Sequence, residues 1–200
     1  MKSKSVERDL SPEKTKAILD GAMQEFLENG YAAARIDKIA VAAGVSKATI
    51  YRRFPDKESL FIELVQQLAC EKELFNPNHL LSAQGDVASF LKSFANMMLT
   101  HVADDPQSLT FLRIIIGESG RFPELAQAFV RNIEKPMLQA MTHYLGSHPE
   151  LELPDPEVAA RAFMGTLIHF VLLRDVLHGG DIVPIDRDRL VDQLVKLIIK

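Results

Sequence analysis

A single cysteine, Cys70, has no second thiol in the chain to pair with, so no internal disulfide framework holds this fold. Tryptophan is absent, and aromatic residues make up only 7% of the 200 positions. No uninterrupted apolar run approaches the roughly 18 residues that cross a bilayer. The densest stretch, Phe163 to Leu173, contains His169. The opening residues MKSKSVERDL lack the apolar segment of a secretory signal. These absences lead to the expectation of a cytoplasmic protein with no membrane partner. Catalytic and cofactor signatures are missing as well. There is no GxGxxG, P-loop or GxSxG, no HExxH among the six histidines, and no CxxC. No cofactor, metal site or enzymatic activity is expected. Asp104-Asp105 and the group Glu150, Glu152, Asp155 and Glu157 fall in or near loops, where solvated carboxylates fit better than paired general acids.

What is present suits a folded chain with a sizeable core: 47% hydrophobic and 25% charged residues. The net charge of −4 conceals a division. Residues 1–57 hold 11 Lys/Arg against 8 Asp/Glu, whereas the rest hold 12 against 19. A weakly basic head on an acidic body hints at a small polyanion-binding module.

Period-2 alternation is absent and apolar residues recur at three and four, so the chain reads as all-α. Ser11-Pro12 is a helix start, and Ile18, Ala22 and Phe26 mark its inner face. Asn29-Gly30 ends that helix with a left-handed residue. Two short helices follow, Ile36 to Ala43 and Lys47 to Arg53, separated by Gly44-Val45-Ser46. Pro55 stops the second, and Asp56 caps a long helix from Lys57 to about Phe75 that ends in the Asn76-Pro77-Asn78 loop. Further helices are expected near 86–103, 106–118, 123–145, 155–178 and 186–200. Pro136 should kink or split the third of these.

Two very short helices joined by a tight turn cannot stand alone. Packed on the first helix they make a three-helix helix-turn-helix domain. Ala40 is small enough for a close helix crossing, and Gly44 suits a turn with positive φ. Ile39, Ala43, Val45, Ile50 and Phe54 form the inside. The outward residues are then Lys47, Ala48, Thr49, Tyr51, Arg52 and Arg53. Arginine and lysine read guanine edges, threonine and alanine meet a thymine methyl, and tyrosine donates to phosphate. Lys47 and Lys57 both fall in a first helical turn, where a cation costs about 0.3–1 kcal/mol against the macrodipole. A phosphate docked on those N-termini would explain them; plain solvated lysines remain the alternative.

Residues 11–60 resemble the N-terminal domain of the TetR family of bacterial transcriptional regulators. The resemblance is carried by Ile39-Ala40, by Ala43-Gly44-Val45-Ser46 and by the run from Ala48 through Tyr51-Arg52-Arg53-Phe54-Pro55-Asp56-Lys57 to Leu60. The stretch Gly117 to Leu125 resembles the AefR-like C-terminal subgroup. One departure stands out: Ala34-Arg35 occupies the place of the Thr or Ser that commonly caps the second helix and touches phosphate. The resemblance implies a DNA-binding domain at 1–56 and a ligand-binding and dimerisation domain at 57–200. It also implies a homodimer on double-stranded operator DNA, and a repressor released by a small-molecule effector, with the helix from Lys57 transmitting a tilt. A DNA-binding activator, or a constitutive binder with a filled core, is the alternative, and an all-helical enzyme would need a catalytic cluster that the sequence lacks. The expected DNA-binding residues are Arg35, Ser46, Lys47, Ala48, Thr49, Tyr51, Arg52 and Lys57.

Candidate effector-pocket residues are Phe61, Leu64, Phe94, Met97, His101 and Phe111, with Phe129, Phe163 and His169; Leu68, Phe90 and Met98 share their pattern. Each fits a packed core as readily. Arg113, embedded between Leu112 and Ile114, suits a salt bridge to Glu118 or to an Asp/Glu elsewhere, or an exposed stripe, better than an anion site. The last two helices are apolar on more than one face, as expected where a partner subunit packs.

Overall fold

The structure, a computed structural model, describes residues 11–71 and 86–199, and among them there are only helices and loops. In chain order the helices are α1 (Pro12–Ala33), α2 (Ile36–Ala42), α3 (Lys47–Arg53), α4 (Lys57–Glu71), α5 (Val87–Ala103), α6 (Pro106–Glu118), α7 (Pro123–Phe129), α8 (Lys135–Gly146), α9 (Pro156–Val171) and α10 (Arg187–Ile199). The expected 76–78 loop and His79 lie outside the described residues, as do the side chains of Leu68 and Cys70.

Local chemistry accounts for most boundaries. Ser11 Oγ accepts from Lys14 N–H, and Pro12 occupies the first turn of α1. Asp86, Asp105 and Asp155 cap α5, α6 and α9 through their carboxylates. Asp56 accepts Ser59 N–H at 2.7 Å, and these hydrogen bonds hold its carboxyl below the usual aspartate range. Gly30, at φ 72°, breaks the helical path inside α1 so that Tyr31 turns inward. Gly44, at φ 64°, makes the turn between α2 and α3.

Pro136 splits its helix, as the sequence suggests, by a particular route. Proline offers no N–H to the carbonyl four residues back and clashes with it. The chain widens into a π turn, Val130–Glu134, in which Lys135 N–H reaches Val130 O. A second π turn, Leu172–Val176, ends α9. Arg113 closes it by donating from Nη2 to the Asp175 carbonyl at 2.6 Å. The expectation of a Glu118 salt bridge or an exposed stripe for Arg113 is therefore corrected.

α1 packs against α2, α4 and α6; α5 packs against α6, α9 and α10; α8 lies along α9. One continuous core runs from Ile18 through Phe61, Leu99 and Phe163 to Ile198. The close crossing of α1 on α2 falls at Gly21, where an added Cβ would lie 3.2 Å from Ala42 Cβ and 3.3 Å from the Ile39 carbonyl oxygen. Ala40 is buried nearby, but Gly21 is the residue the approach requires. The stretch Pro156–Val176 is long and apolar enough to cross a membrane by length and composition alone, as a core helix of a soluble bundle also is. It carries Arg161, Arg174 and Asp175, and it buries Ala160, Phe163, Leu167 and Val171 within the bundle.

Candidate nucleic-acid interface and effector cavity

α3 is a seven-residue rod with two unlike sides. Ile50 is fully buried and Phe54, just past its end, nearly so, which fixes its rotation on the core. Lys47, Ala48, Tyr51 and Arg52 are then exposed, Tyr51 at 50%, with Thr49 partly so. Ser46 caps the rod by accepting Thr49 N–H at 3.1 Å, and the two hydroxyls lie 2.9 Å apart. Arg53 points elsewhere, to Glu63 on α4 at 3.2 Å.

The surrounding charges are not all equally free. Arg35 is exposed and lies against Asp37 in a two-pronged contact, Nε to Oδ1 at 3.1 Å and Nη2 to Oδ2 at 2.7 Å. Lys47 Nζ is 3.9 Å from the same carboxylate. The hydrogen bond and charge of Arg35 hold the Asp37 carboxyl below its ordinary range. Lys57 differs from both. Its ammonium donates to the carbonyls of Tyr31 at 2.6 Å, Ala32 at 3.1 Å and Ala34 at 3.1 Å, and it lies 4.7 Å from the Tyr31 ring centroid. An ammonium has three protons to give, and all three are given to the end of α1. A phosphate anchor at Lys57 would have to draw the ammonium off those carbonyls. Burial lowers its pKa below the usual lysine value.

Behind the reader a row of rings leads into the body. Tyr31 meets Phe26, Phe61 and Phe122 at centroid distances of 5.6, 5.4 and 4.8 Å, and Phe61 stacks on Phe111 at 5.4 Å. Glu118 of α6 accepts Ala32 N–H at 3.2 Å. Burial and nearby carboxylates push the Tyr31 hydroxyl up to about 12.

Phe111 also forms part of the wall of a cavity of about 100 Å³, together with Met98, His101, Phe129, Ile133 and Met164. Three of the expected pocket residues, His101, Phe111 and Phe129, are brought together there. Phe61, Leu64, Phe94 and Phe163 are instead buried core residues, and Met97 packs against that core, so none of the five lines this cavity. Their spacing gave an inner face correctly but could not tell a filled core from an open one. His169 lines a different hollow, a groove of about 360 Å³ between α9 and the loop leading into α10, with Phe170, Leu173 and Val183. Among the described residues no group of three or more His, Cys, Asp or Glu is placed to hold a metal ion.

Comparison with known proteins decides the family. Residues 18–64 match the model for bacterial regulatory proteins of the tetR family. Residues 89–200 match the AefR-like transcriptional repressor C-terminal domain. The chain belongs to the TetR family. It is a DNA-binding transcriptional regulator of AefR-like type, a non-enzyme role that its relatives share. The uncharacterized HTH-type transcriptional regulator YvkB of Bacillus subtilis is 28% identical over 192 residues, spanning 92% of this TetR-family chain and 95% of its own length. A TetR-family regulator from Mesorhizobium loti superposes with a TM-score of 0.79 at 25% identity, covering 96% of this chain and 97% of that one. The flavonoid-responsive regulator FrrA does so at 0.73 and 29%, covering 94% and 96%.

Three residues of this TetR-family chain matter at these sites and were not singled out from the sequence. Glu25, buried on α1, accepts the Arg35 N–H at 3.0 Å and stands in for the cap that Ala34-Arg35 lacks at the start of α2. Asp37 holds the two cations beside the reader. Glu134 lies on the cavity wall at the end of the π turn. Only Glu134 had a local signal, its position two residues before a mid-helix proline.

Proposed function

We propose that two copies of this chain form a homodimeric repressor that holds a palindromic operator and lets it go when a small molecule enters the cavity. In this reading residues 1–56 read DNA, and residues 57–200 bind the effector and pair the subunits. The exposed side of α3 carries the proposal: Lys47, Ala48, Thr49, Tyr51 and Arg52 face outward from a rod whose opposite side is locked into the core. Ser46 fixes the start of the rod, and Arg35 adds a cation at its flank. Half-sites about 34 Å apart would place the two rods in successive major grooves.

Support for pairing comes from the C-terminal side. Val158 on α9 and Leu197 on α10 are exposed at 60% and 73%, and the groove at His169 lies beside α9, between it and the loop leading into α10. Support for regulation comes from the rings. A molecule pressing on Phe111 would act through Phe61 and Tyr31 on the end of α1, with Glu118 as a second tie. Phe61 lies on α4, so this route runs through the helix that starts at Lys57 and adds the ring row to its tilt. A coupling of about 1–3 kcal/mol between the two sites is enough for such a switch. That structurally similar FrrA is flavonoid-responsive favours a small-molecule effector here.

The test is selection of a binding site from a randomised palindromic library, followed by fluorescence anisotropy and sedimentation of the complex. Two chains per operator, with binding weakened by Tyr51→Ala and Arg52→Ala, is the expected result. One chain per duplex, or no change in either variant, refutes the reading.

A further inference from the structure

The cavity has a chemical bias that its apolar walls do not announce. Methionine sulfurs and aromatic faces line it, including Met23, Met98, Phe111 and Phe129. Among the described residues no lysine or arginine lines it. Two carboxylates do. Asp105 uses its oxygens on the first turn of α6, accepting from Gln107 N–H, Ser108 N–H and Ser108 Oγ. Glu134 shows no hydrogen bond or ion pair among the described residues, and burial alone pushes its carboxyl above the usual glutamate range. His101 has one ring nitrogen, Nδ1, engaged with the Met97 carbonyl at 3.0 Å.

An unpaired carboxylate on an apolar wall is costly, and such groups are normally given a partner. Here the backbone itself delivers it, since the π turn forced by Pro136 ends at Glu134. We propose that this cavity takes a small aromatic or aliphatic organic cation, an amine held by Glu134 with its apolar part among the methionines and phenylalanines. The inference rests on the effector role assigned to the cavity above and names the class of ligand. An ammonium supplies the charge-assisted hydrogen bond that the protein withholds from Glu134. Aromatic faces and thioethers favour a cation or ring beside them. Among the described lining residues an anionic ligand would meet two carboxylates and no lysine or arginine. The space is small: about 100 Å³, against about 150 Å³ for an apolar cavity that holds benzene, so a ring enters only as the flexible methionine side chains of the wall shift outward.

Three probes of one skeleton test this: 3-phenylpropylamine, 3-phenylpropanol and 3-phenylpropionate, titrated calorimetrically into the DNA-free protein and into Glu134→Gln. The amine should bind about tenfold or more tighter than the propionate, and Glu134→Gln should erase about tenfold of amine affinity while leaving the alcohol within about twofold. The thermal melt of Glu134→Gln confirms that the variant is folded. Equal or tighter binding of the propionate, an unchanged amine affinity in Glu134→Gln, or no binding by any probe overturns the proposal. A separate titration of each probe into the protein on its selected operator keeps the two readings apart. Amine binding without operator release sustains the ligand class and sinks the regulatory reading. Operator release by the propionate alone does the reverse.

Discussion

Replacing Lys57 by methionine keeps the apolar stem of the side chain and removes its charge. The ammonium serves three carbonyls at the end of α1, of which those of Tyr31 and Ala34 belong to part-buried contacts and that of Ala32 to an exposed one. Water recovers the exposed carbonyl. Each of the other two loses about 1 kcal/mol, and the Tyr31 ring contact adds about 0.5–1 kcal/mol. The expected loss is therefore about 2.5–3 kcal/mol, or roughly 5–12 °C in melting temperature for a chain of this size. Urea denaturation at fixed protein concentration measures it. DNA binding provides a second readout. Were Lys57 seated on a phosphate, removing its charge would lower the slope of log affinity against log salt by about one. Because the Lys57 protons are engaged inside, the slope should not change, and affinity should fall only as far as α1 and α2 lose their seat. A slope reduced by about one with unchanged stability would refute the inward assignment and restore the phosphate anchor.

Other perturbations test other parts of the molecule. Gly21→Ala gains about 1 kcal/mol of helix propensity but drives a methyl against Ala42 and the Ile39 carbonyl, which costs about 1–3 kcal/mol; the denaturation midpoint should fall, and a rise would show that the α1–α2 crossing has slack. Asp37→Asn frees Arg35 and Lys47, so affinity for arbitrary duplex should increase at low salt and the gain should shrink as salt rises; an unchanged or weaker affinity counts against both cations as DNA contacts. Tyr51→Ala should weaken all sequences about equally, whereas Arg52→Ala should relax preference at one base position by about 1–3 kcal/mol, as read from a matrix of single-base operator variants. Glu134 is a carboxyl raised by burial, so its ionisation destabilises the folded state, and the stability present below its unfolded pKa is lost as pH rises through the raised folded value. Glu134→Gln should therefore melt higher than the parent at neutral pH, and the difference should vanish on acidification; a lower melt at neutral pH would mean that Glu134 has a partner.

Helix identity and order were legible because each signal was local. Ser11, Asp56 and Asp105 precede the helices they cap, Gly30 and Gly44 sit where the backbone turns to positive φ, and Pro136 breaks its helix. The two sides of α3 were legible for the same reason, since Ile50 and Phe54 set its rotation. The cavity was not. Phe61, Phe94, Phe111, Phe129 and Phe163 share one apolar pattern, and only packing decides that Phe111 and Phe129 border open space while the other three are filled in around.

Charge was the least legible feature, and the reason bears on how the reader works. The basic head carries cations of two kinds. Lys57 reaches back 26 residues to a carbonyl of Tyr31 and ties α4 to the end of α1, while Arg53 reaches forward 10 to Glu63 in a half-exposed pair between α3 and α4. Arg35 and Lys47 lean on one half-exposed carboxylate, Asp37, and Arg52 stays on the outer side of α3. Exposed ion pairs are worth little and are readily exchanged, so Arg35 and Lys47 can exchange Asp37 for phosphate with little loss, whereas Lys57 would have to abandon three carbonyls to do so. Sequence spacing counts all of these as positive charge near a helix-turn-helix. Only the fold sorts them into those that position the rod and those left for the polyanion it meets.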